Sequence, residues 1–282
     1  MIIVALTLGL GNNLFQYSVA RRLSLERNTE LLFDVSGQNR DRQQFILSYI
    51  SRFNMAGTVA TKKQIMKIKI LNRLNFINTD YKNSVFYEDA YEFNPSVINA
   101  PKNAYLSGYW QSEKYFDTIK DTIRLDVTLK EPADGRYREI LDKIKSSDSV
   151  AVHIRRGDYM WDKNLRIFAT CTPDYYLRAE TLIADKISSP AFYIFSDDIE
   201  WVKKNIPFNH PAVFVTDGNL TDCQELMLMR ECKHDIIANS TFSWWGAWLN
   251  GNPDKIVIAP QKWFTDPGMN AGGLIPSEWI KI

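Results

Sequence analysis

The chain contains 282 residues, of which 45% are hydrophobic and 24% are charged, and its formal net charge is +1. This length is enough for one large or two medium-sized domains with a hydrophobic core. A near-zero net charge creates no global field, which argues against attraction to nucleic acid or to a membrane surface.

The cysteines and the N-terminal segment favour a cytoplasmic protein. Three cysteines are an odd number without metal-ligand spacing, so neither a disulfide framework nor a zinc site is expected. Residues 1–8 form an apolar run that is too short for a signal peptide or a membrane span. We therefore expect no integral membrane segment, and the sequence leaves the oligomeric state open.

The first half of the chain is predicted to begin with a βαβ unit. Residues 2–6 are predicted to form a strand, residues 9–13 a glycine-containing turn, residues 14–27 a helix and residues 31–34 a second strand. In residues 61–75, lysine alternates with isoleucine and leucine at helical spacing, which predicts a helix with a solvated face and a core face. Four further segments are predicted: a strand at 104–109, a helix at 113–124, and variable loops at 37–44 and 160–170.

The second half alternates strands and helices more regularly, which predicts a parallel sheet. The loop at residues 130–135 contains proline and glycine and is the predicted boundary between a domain at 1–130 and a domain at 131–282. Thr172 is the predicted N-cap of a helix that has Pro173 in its first turn. The predicted strands are 150–155, 192–195, 212–215, 236–238 and 255–259, and the predicted helices are 173–186, 199–205, 222–233 and 242–249.

The segment at residues 150–159 carries the strongest chemical signal, because a buried strand ends there in His153, Arg155 and Arg156. Ligands of open α/β sheets bind at the carboxyl ends of strands, and guanidinium groups match phosphate oxygens. A phosphate site and a surface salt bridge remain equal alternatives at this point. Strand alternation places His153 and Arg155 on one face, so Arg155 is predicted to meet the ligand. Arg156 is then predicted to be structural and paired with Asp158, and His153 is either part of the site or a core histidine.

Three more segments place polar groups or glycines at strand ends. At residues 9–13, Gly11 allows close backbone approach and the following helix N-terminus favours an anion, although a plain tight turn explains the same residues. Asp197 either accepts hydrogen bonds from a nucleoside or caps a helix, whereas Asp198 is predicted to be a cap. Ser240 and Thr241 open a helix whose N–H groups can hold a phosphate, or they serve only as caps. The tryptophans that follow, at 244, 245 and 248, are predicted to lie mostly in the core.

A metal site is not expected. No two aspartates in the chain are separated by a single residue, and the three histidines are scattered. If a diphosphate leaves from this site, arginine and backbone dipoles are predicted to neutralise it.

In their order and spacing, these segments resemble the bacterial α-1,2-fucosyltransferase family. The resemblance spans nearly the whole chain, and Asn13 stands where many members of the family carry glutamine. The matching pieces are GLGNNLFQY (9–17), GYWQSEKYF (108–116), HIRRGDY (153–159) and STFSWWGAW (240–248).

The resemblance implies an α/β protein of the GT-B type, with two Rossmann-like domains facing a central cleft. GDP-fucose would bind to the domain at 131–282, and the domain at 1–130 would form the acceptor side. The implied reaction is inverting and metal-independent, needs no cofactor, and moves L-fucose to the 2-hydroxyl of a terminal β-galactose of an oligosaccharide.

The resemblance also implies roles for single residues in the second domain. Arg155 would hold the β-phosphate and stabilise the departing charge, His153 would lie near the nucleoside, and Asp197 would lie near guanine or ribose. Three consecutive residues would line the pyrophosphate site, namely Ser240, Thr241 and Phe242.

In the first domain, Gly11 would form part of the donor site and Asn12 would reach the sugar. Tyr109 or Trp110 could stack on a galactose face. An inverting transfer also needs a group that takes the proton of the acceptor hydroxyl. Asp158 and Glu113 are the candidates for this base, and proton transfer to the substrate phosphate is the alternative.

Two other functions remain open on the sequence alone. A fucosyltransferase of different linkage, acting on a core glycan or a protein hydroxyl, could carry the same His-x-Arg element. A non-catalytic protein that binds a nucleotide sugar or a glycan is the second alternative.

Overall fold

The computed structural model describes residues 1–74, 81–88, 92–131, 135–266, 268–269 and 272–282. The chain forms two compact units. The first unit comprises Met1–Lys130 and Asn270–Leu274, and the second comprises Glu131–Met269 and Ile275–Ile282. The centre of the predicted boundary loop, residues 132–134, lies outside the described residues.

The first unit is built on a five-stranded, fully parallel sheet. Its strands are β1 (Ile2–Ala5), β2 (Leu31–Asp34), β3 (Thr58–Val59), β4 (Val85–Tyr87) and β5 (Ala104–Ser107). Its helices are α1 (Leu10–Glu26), α2 (Arg40–Arg52), α3 (Lys62–Arg73) and α4 (Lys120–Asp126). The strand order is β3-β2-β1-β5-β4, so the chain reverses its direction of strand addition between β1 and β5.

Three predictions for this unit were wrong in whole or in part. Helix α1 begins at Leu10 with Gly9 as N-cap, so residues 9–13 form its first turn and not a separate loop. The buried Asn13 side chain donates to the Thr7 carbonyl and so ties this first turn to the loop after β1. The predicted loop at 37–44 is confirmed only for residues 37–39, because α2 begins at Arg40. The predicted helix at 113–124 is instead two 3₁₀ turns, Glu113–Tyr115 and Asp117–Ile119, followed by α4.

Helix α3 is confirmed and begins with a capping box. The Thr61 hydroxyl accepts from the Gln64 N–H, and the Gln64 side-chain oxygen accepts from the Thr61 N–H. The last predicted residue of this helix, Asn75, lies outside the described residues. The inward face of α3 carries Ile65 and Ile68, which are buried in a cluster with Ile3, Leu32, Tyr81 and Tyr105.

The second unit is built on a six-stranded parallel sheet. Its strands are β6 (Asp148–Ile154), β7 (Pro190–Ser196), β8 (Ala212–Phe214), β9 (His234–Ile236), β10 (Val257–Ala259) and β11 (Ile280–Lys281). Its helices are α5 (Arg136–Lys145), α6 (Asp162–Leu165), α7 (Pro173–Ala184), α8 (Ile199–Asn205), α9 (Asp222–Glu231) and α10 (Thr241–Leu249). The order β11-β10-β9-β6-β7-β8 reverses between β6 and β9.

The predicted alternation of strands and helices in this unit is confirmed, with shifts at the element ends. Thr172 caps α7 by accepting from the N–H of Tyr175, as predicted. Strand β9 ends at Ile236, two residues before the predicted end. The predicted loop at 160–170 contains the short helix α6.

Both units are therefore α/β layers with parallel sheets and Rossmann-like topology, which confirms the predicted fold class. Among the described residues, no helix combines the length and the apolar composition needed to cross a membrane.

Candidate functional site

The carboxyl edge of the second sheet collects the predicted residues at the point where the strand order reverses. Strands β6 and β9 are neighbours, with Val152 opposite Ile236, and β7 lies on the other side of β6. Arg155 follows β6, Asp197 follows β7, and Ser240 lies shortly after β9. A strand-order reversal of this kind forms the usual ligand crevice of open α/β sheets.

Arg155 is held by two carboxylates at this edge. One terminal guanidinium nitrogen, Nη2, donates to Asp158 Oδ1 at 2.5 Å, and Nη1 lies 2.9 Å from Asp197 Oδ2. The guanidinium carbon lies 5.6 Å from the centre of the Tyr159 ring. Buried Nε has no hydrogen-bond partner among the described residues. These contacts fix the position of the arginine, because each restricts a different part of the guanidinium group.

The predicted pair between Arg156 and Asp158 is wrong. The Arg156 side chain instead contacts Asp198 Oδ2 at 3.4 Å and lies over the Trp201 ring at 3.5 Å. Strand β6 ends at Ile154, and the 3₁₀ turn that follows directs Asp158 back toward Arg155. Strand alternation therefore does not apply to Asp158. The structural role of Arg156 and the capping role of Asp198, which accepts from the Trp201 N–H at 3.3 Å, are both present.

Asp197 also binds the backbone. Its Oδ1 accepts from the N–H of Arg156 at 2.8 Å, while Oδ2 meets Arg155. Gly157 packs directly against this carboxylate, and a β-carbon at position 157 would overlap it. The glycine of this motif is therefore explained by close approach to Asp197.

His153 lies in β6 and is 5% exposed. Burial, together with the nearby positive charge of Arg155, lowers its pKa to about 3. The ring is therefore neutral at physiological pH, with its centre 5.3 Å from that of Phe242. The burial fits a core histidine, but Nδ1 has no hydrogen-bond partner in the described part of the chain. This ring nitrogen is therefore a buried polar atom without a partner in the described residues.

Helix α10 begins next to His153. Ser240 is its N-cap and accepts from the Phe242 N–H at 3.3 Å, so the capping role predicted as the plainer alternative is present. Thr241 and Phe242 are half-buried in the first turn. N–H groups of a first helical turn have no intrahelical partner and favour an anion. The tryptophans of α10 are buried, as predicted: Trp244, Trp245 and Trp248.

Asn239 and Tyr159 connect these loops. Tyr159 donates its hydroxyl proton to the Asn239 carbonyl at 2.9 Å, and the Asn239 side chain donates to the Trp263 carbonyl at 3.0 Å and to that of Ala169. The loop after β6 and the start of α10 are thereby joined by hydrogen bonds. Neither residue was assigned a role from the sequence.

Glu225 is a second group that sequence reasoning missed. It lies in α9, where burial raises the pKa of its carboxyl to about 7 and the Thr216 hydroxyl donates to it at 3.0 Å. Thr216 in turn accepts from the N–H of Ser196, the last residue of β7. In the sequence Glu225 is only an acid near a helix start, and no signal distinguishes it. Its position beside the end of β7 depends on how α9 packs.

The first sheet has a polar edge of a different kind, at its own reversal point between β1 and β5. Gln16 is fully buried there. Its side-chain oxygen accepts from the Thr7 N–H at 3.0 Å and from Asn13 Nδ2 at 3.2 Å. Its amide nitrogen donates to the Thr7 hydroxyl at 2.8 Å and to the Gly108 carbonyl at 3.0 Å. Gln16 therefore joins the loop after β1 to the loop after β5.

Gly11 and Asn12 both lie in the first turn of α1. Gly11 is buried, and the half-buried Asn12 accepts from Gln111 Nε2 at 2.7 Å through its side-chain oxygen. Asn13 is 2% exposed and donates to the Thr7 carbonyl. Its side chain therefore belongs to the internal network of the unit.

The predicted stacking of Trp110 on a sugar is not supported, since this ring is 1% exposed and packs edge-on against Tyr115. Its φ angle of 57° lies in the left-handed region. Glu88 accepts from the backbone N–H groups of Tyr109 and Trp110, and burial raises the pKa of this carboxyl. Half-buried Tyr109 remains the aromatic candidate of this loop. The candidate base Glu113 lies 3.6 Å from Lys120.

No group of three or more histidine, cysteine, aspartate or glutamate side chains could hold a metal ion within the described ranges. In the second unit, the residues brought together are Arg155, Asp158 and Asp197 on one side, and His153, Ser240 and Phe242 on the other. Gly11 and Asn12 belong to the first unit.

The sequence profile of glycosyl transferase family 11 matches residues 1–282. An α-1,2-colitosyltransferase of Escherichia coli is 32% identical, with alignment over 100% of this chain and 99% of that protein. An O-antigen biosynthesis glycosyltransferase of Escherichia coli, WbnK, is 31% identical over 97% of this chain and 98% of its own length. The human galactoside α-(1,2)-fucosyltransferase 1 is 28% identical over 63% of this chain, which corresponds to 52% of the human protein.

Among solved structures, fucosyltransferase NodZ from Bradyrhizobium aligns with 87% of this chain and 92% of its own, with a TM-score of 0.50 and 10% identity. At this identity the likeness concerns the fold alone. It agrees with the GT-B type of architecture that the family resemblance implies.

Proposed function

The chain belongs to glycosyl transferase family 11, and on this premise we propose that it transfers L-fucose from GDP-fucose to the 2-hydroxyl of a terminal β-galactose. The observation that carries the proposal is the fixed guanidinium of Arg155 at the strand-order reversal of the second unit. Two of the relatives described above are named for α-1,2 transfer, which supports the linkage. We propose that the transfer is inverting and proceeds without a metal or cofactor.

The leaving diphosphate needs positive charge or oriented dipoles. Arg155 and Arg156 are outnumbered by the three aspartates around them, namely Asp158, Asp197 and Asp198, and His153 is neutral. Arginine alone therefore leaves no local excess of positive charge. We assign the remaining stabilisation to the first-turn N–H groups of α10, which favour an anion without adding a formal charge.

Asp197 and His153 suit the nucleoside. A carboxylate has about four lone-pair sites, so Asp197 keeps acceptor capacity after binding Arg155 and the Arg156 N–H. The Nδ1 of neutral His153 is buried without a hydrogen-bond partner in the described residues, and it can donate or accept one hydrogen bond. Thr241 and Phe242 would line the pyrophosphate beside them.

Asp158 has two possible roles, as the base or as the partner that positions Arg155. Its 2.5 Å contact with Arg155 favours positioning, because a carboxylate engaged by guanidinium is less free to take a proton. The proton of the acceptor hydroxyl would then pass to the substrate phosphate or to Glu113.

Colitose is the second candidate for the transferred sugar. It differs from fucose by the absence of one ring hydroxyl, and the Escherichia coli relative at 32% identity is named for it. A site that hydrogen-bonds the extra hydroxyl of fucose would discriminate strongly against the deoxy sugar.

The test is incubation of the full chain with GDP-fucose and lactose in the presence of a chelator, followed by linkage analysis of the product by NMR. We expect 2′-fucosyllactose. A colitose donor is run in parallel, and a clear preference for it would replace fucose in the proposal. Absence of product over a panel of β-galactosides would reject the acceptor. Binding of GDP by calorimetry without transfer or donor hydrolysis would favour the non-catalytic alternative.

A further inference from the structure

Helix α3 carries a second apolar face that the core does not use. Its outward side holds Met66 and Ile70, which are 53% and 46% exposed, and Leu74 just after the helix is 37% exposed. At 100° per residue, Met66 and Ile70 lie next to each other on one face. The outer face that the sequence predicts to be solvated is exposed, and it carries apolar side chains beside its lysines.

The inward side of α3 already packs against the core. Ile65 and Ile68 pack on the sheet, so Met66 and Ile70 add nothing to the core. Exposed apolar residues are common when they are single, but neighbouring ones surrounded by charge indicate a contact surface.

Positive charge surrounds this apolar strip. Helix α3 contains five basic residues and no acidic residue between Lys62 and Arg73. Among the described residues, none of the exposed side chains of Lys62, Lys63, Lys67 and Arg73 has a carboxylate within ion-pair distance. The whole-chain charge of +1 hides this concentration, because acidic residues elsewhere balance it.

Lys67 and Lys102 both lie near the Met1 amino group. Burial lowers the pKa of this group, Glu30 raises it, and the two lysines lower it. Lys69 lies on the flank of the helix, where its ammonium group contacts the Tyr105 ring at 4.1 Å.

We propose that the outward face of α3, defined as Lys62, Lys63, Met66, Lys67, Ile70, Arg73 and Leu74, docks on the surface of a bilayer that contains anionic phospholipid. A helix of this kind lies in the plane of the interface, with its apolar strip at the level of the headgroups and its cations beside the lipid phosphates. This inference does not depend on the identity of the transferred sugar.

Other occupants fit this face less well. A second copy of the face would bring two sets of unpaired cations together, and like charges in a contact are repulsive. Nucleic acid would match the charge but leave Met66 and Ile70 without a partner. A bilayer surface offers an apolar layer directly beside negatively charged headgroups, so one helix can contact both.

The experiment is co-sedimentation of the full chain with phosphatidylglycerol–phosphatidylcholine vesicles, compared with phosphatidylcholine vesicles alone. We expect binding to the anionic vesicles that weakens as salt is raised. Replacing Lys63 and Lys67 by glutamine should weaken partitioning by roughly 25-fold, since each basic residue near an anionic surface contributes on the order of fivefold. Met66→Ser with Ile70→Ser should weaken it by about tenfold or more.

Matched controls come from the same chain. Lys203→Gln with Lys204→Gln removes two exposed lysines of α8, and Leu125→Ser removes a side chain that is 69% exposed. Neither control should change vesicle binding. The proposal is overturned if the unmodified chain ignores anionic vesicles, if it binds neutral vesicles equally well, or if controls and α3 variants behave alike. A dimer in solution that the Met66 and Ile70 substitutions dissociate would also overturn it, in favour of a protein interface.

Discussion

The sheet edges at the two strand-order reversals of this protein carry different kinds of polar side chains. Between β1 and β5, the polar side chains that bridge the two loops are neutral: Thr7, Asn12, Gln16 and Gln111. Between β6 and β9, and at the neighbouring end of β7, the edge is formed by charged residues: Arg155, Arg156, Asp158 and Asp197. The same parallel-sheet geometry thus presents carboxamides in one unit and ion pairs in the other.

The difference indicates what each edge can bind. A guanidinium group held by carboxylates suits a phosphate, since it supplies charge and fixed direction together. The neutral network instead makes its hydrogen bonds within the unit, since Gln16 is fully buried and binds both loops. The charged edge therefore fits the nucleotide site proposed for the second unit.

The two edges also differ in the strain of their backbone. Leu8 and Trp110 both have left-handed φ angles, 63° and 57°, in the two loops of the first reversal. Such a conformation costs about 1–2 kcal/mol for a side chain with a β-carbon. Gln16 binds the residue before Leu8, and Glu88 binds the Trp110 N–H, so these contacts offset the strain. The first edge is therefore shaped by a buried network, and the second by surface charge.

Removal of the guanidinium tests the charged edge most severely. Arg155→Ala should lower kcat/KM for fucosyl transfer by roughly 10²–10³-fold, because one lost contact to the developing charge has about this effect. The affinity for GDP, measured by calorimetry, should fall in parallel, and this readout is independent of the acceptor.

Arg156→Ala is the matched control, because Arg156 contacts Asp198 and Trp201 instead of Asp158. It should lower kcat/KM by less than about tenfold. Equal losses in the two variants, or near-normal activity of Arg155→Ala, would remove the distinction between the neighbouring arginines.

The neutral edge is tested by stability. Gln16→Ala should lower the free energy of unfolding by about 2–4 kcal/mol, since it leaves the part-buried Thr7 N–H and Gly108 carbonyl without their partner. Urea unfolding measures the change. Gln44→Ala, at an exposed position of α2, is the control and should stay within about 0.5 kcal/mol of the unmodified chain. A similar small effect at Gln16 would show that the network contributes little.

The smallest expected effect decides the role of Asp158. If this residue positions Arg155, Asp158→Asn should reduce kcat by about tenfold and leave the shape of the pH–rate profile unchanged. A reduction of roughly 10²–10⁴-fold with loss of the acidic limb would instead identify Asp158 as the base. Asp162→Asn, at a nearby exposed position, controls for the loss of one negative charge.

Local signals in the sequence were reliable where a few neighbouring residues decide the structure. The caps at Thr172 and Asp198 depend on a side chain and an N–H three residues away, and both are present as predicted. The same holds for the strand predicted at 150–155, which the structure has at Asp148–Ile154, and for the burial of the α10 tryptophans. Predictions failed where a local pattern was extended past the end of its element, as for Asp158.

By itself, the sequence determined the alternation of strands and helices, the polar segments at strand ends and the resemblance that the family match confirms. Only the tertiary structure decided the strand order, and with it which loops meet at each reversal. It also placed Asp158 on Arg155, buried Trp110, brought Glu225 beside β7 and left Met66 and Ile70 exposed. The physical reason is range: caps and periodicity act within a few residues, whereas these contacts depend on how separate elements pack.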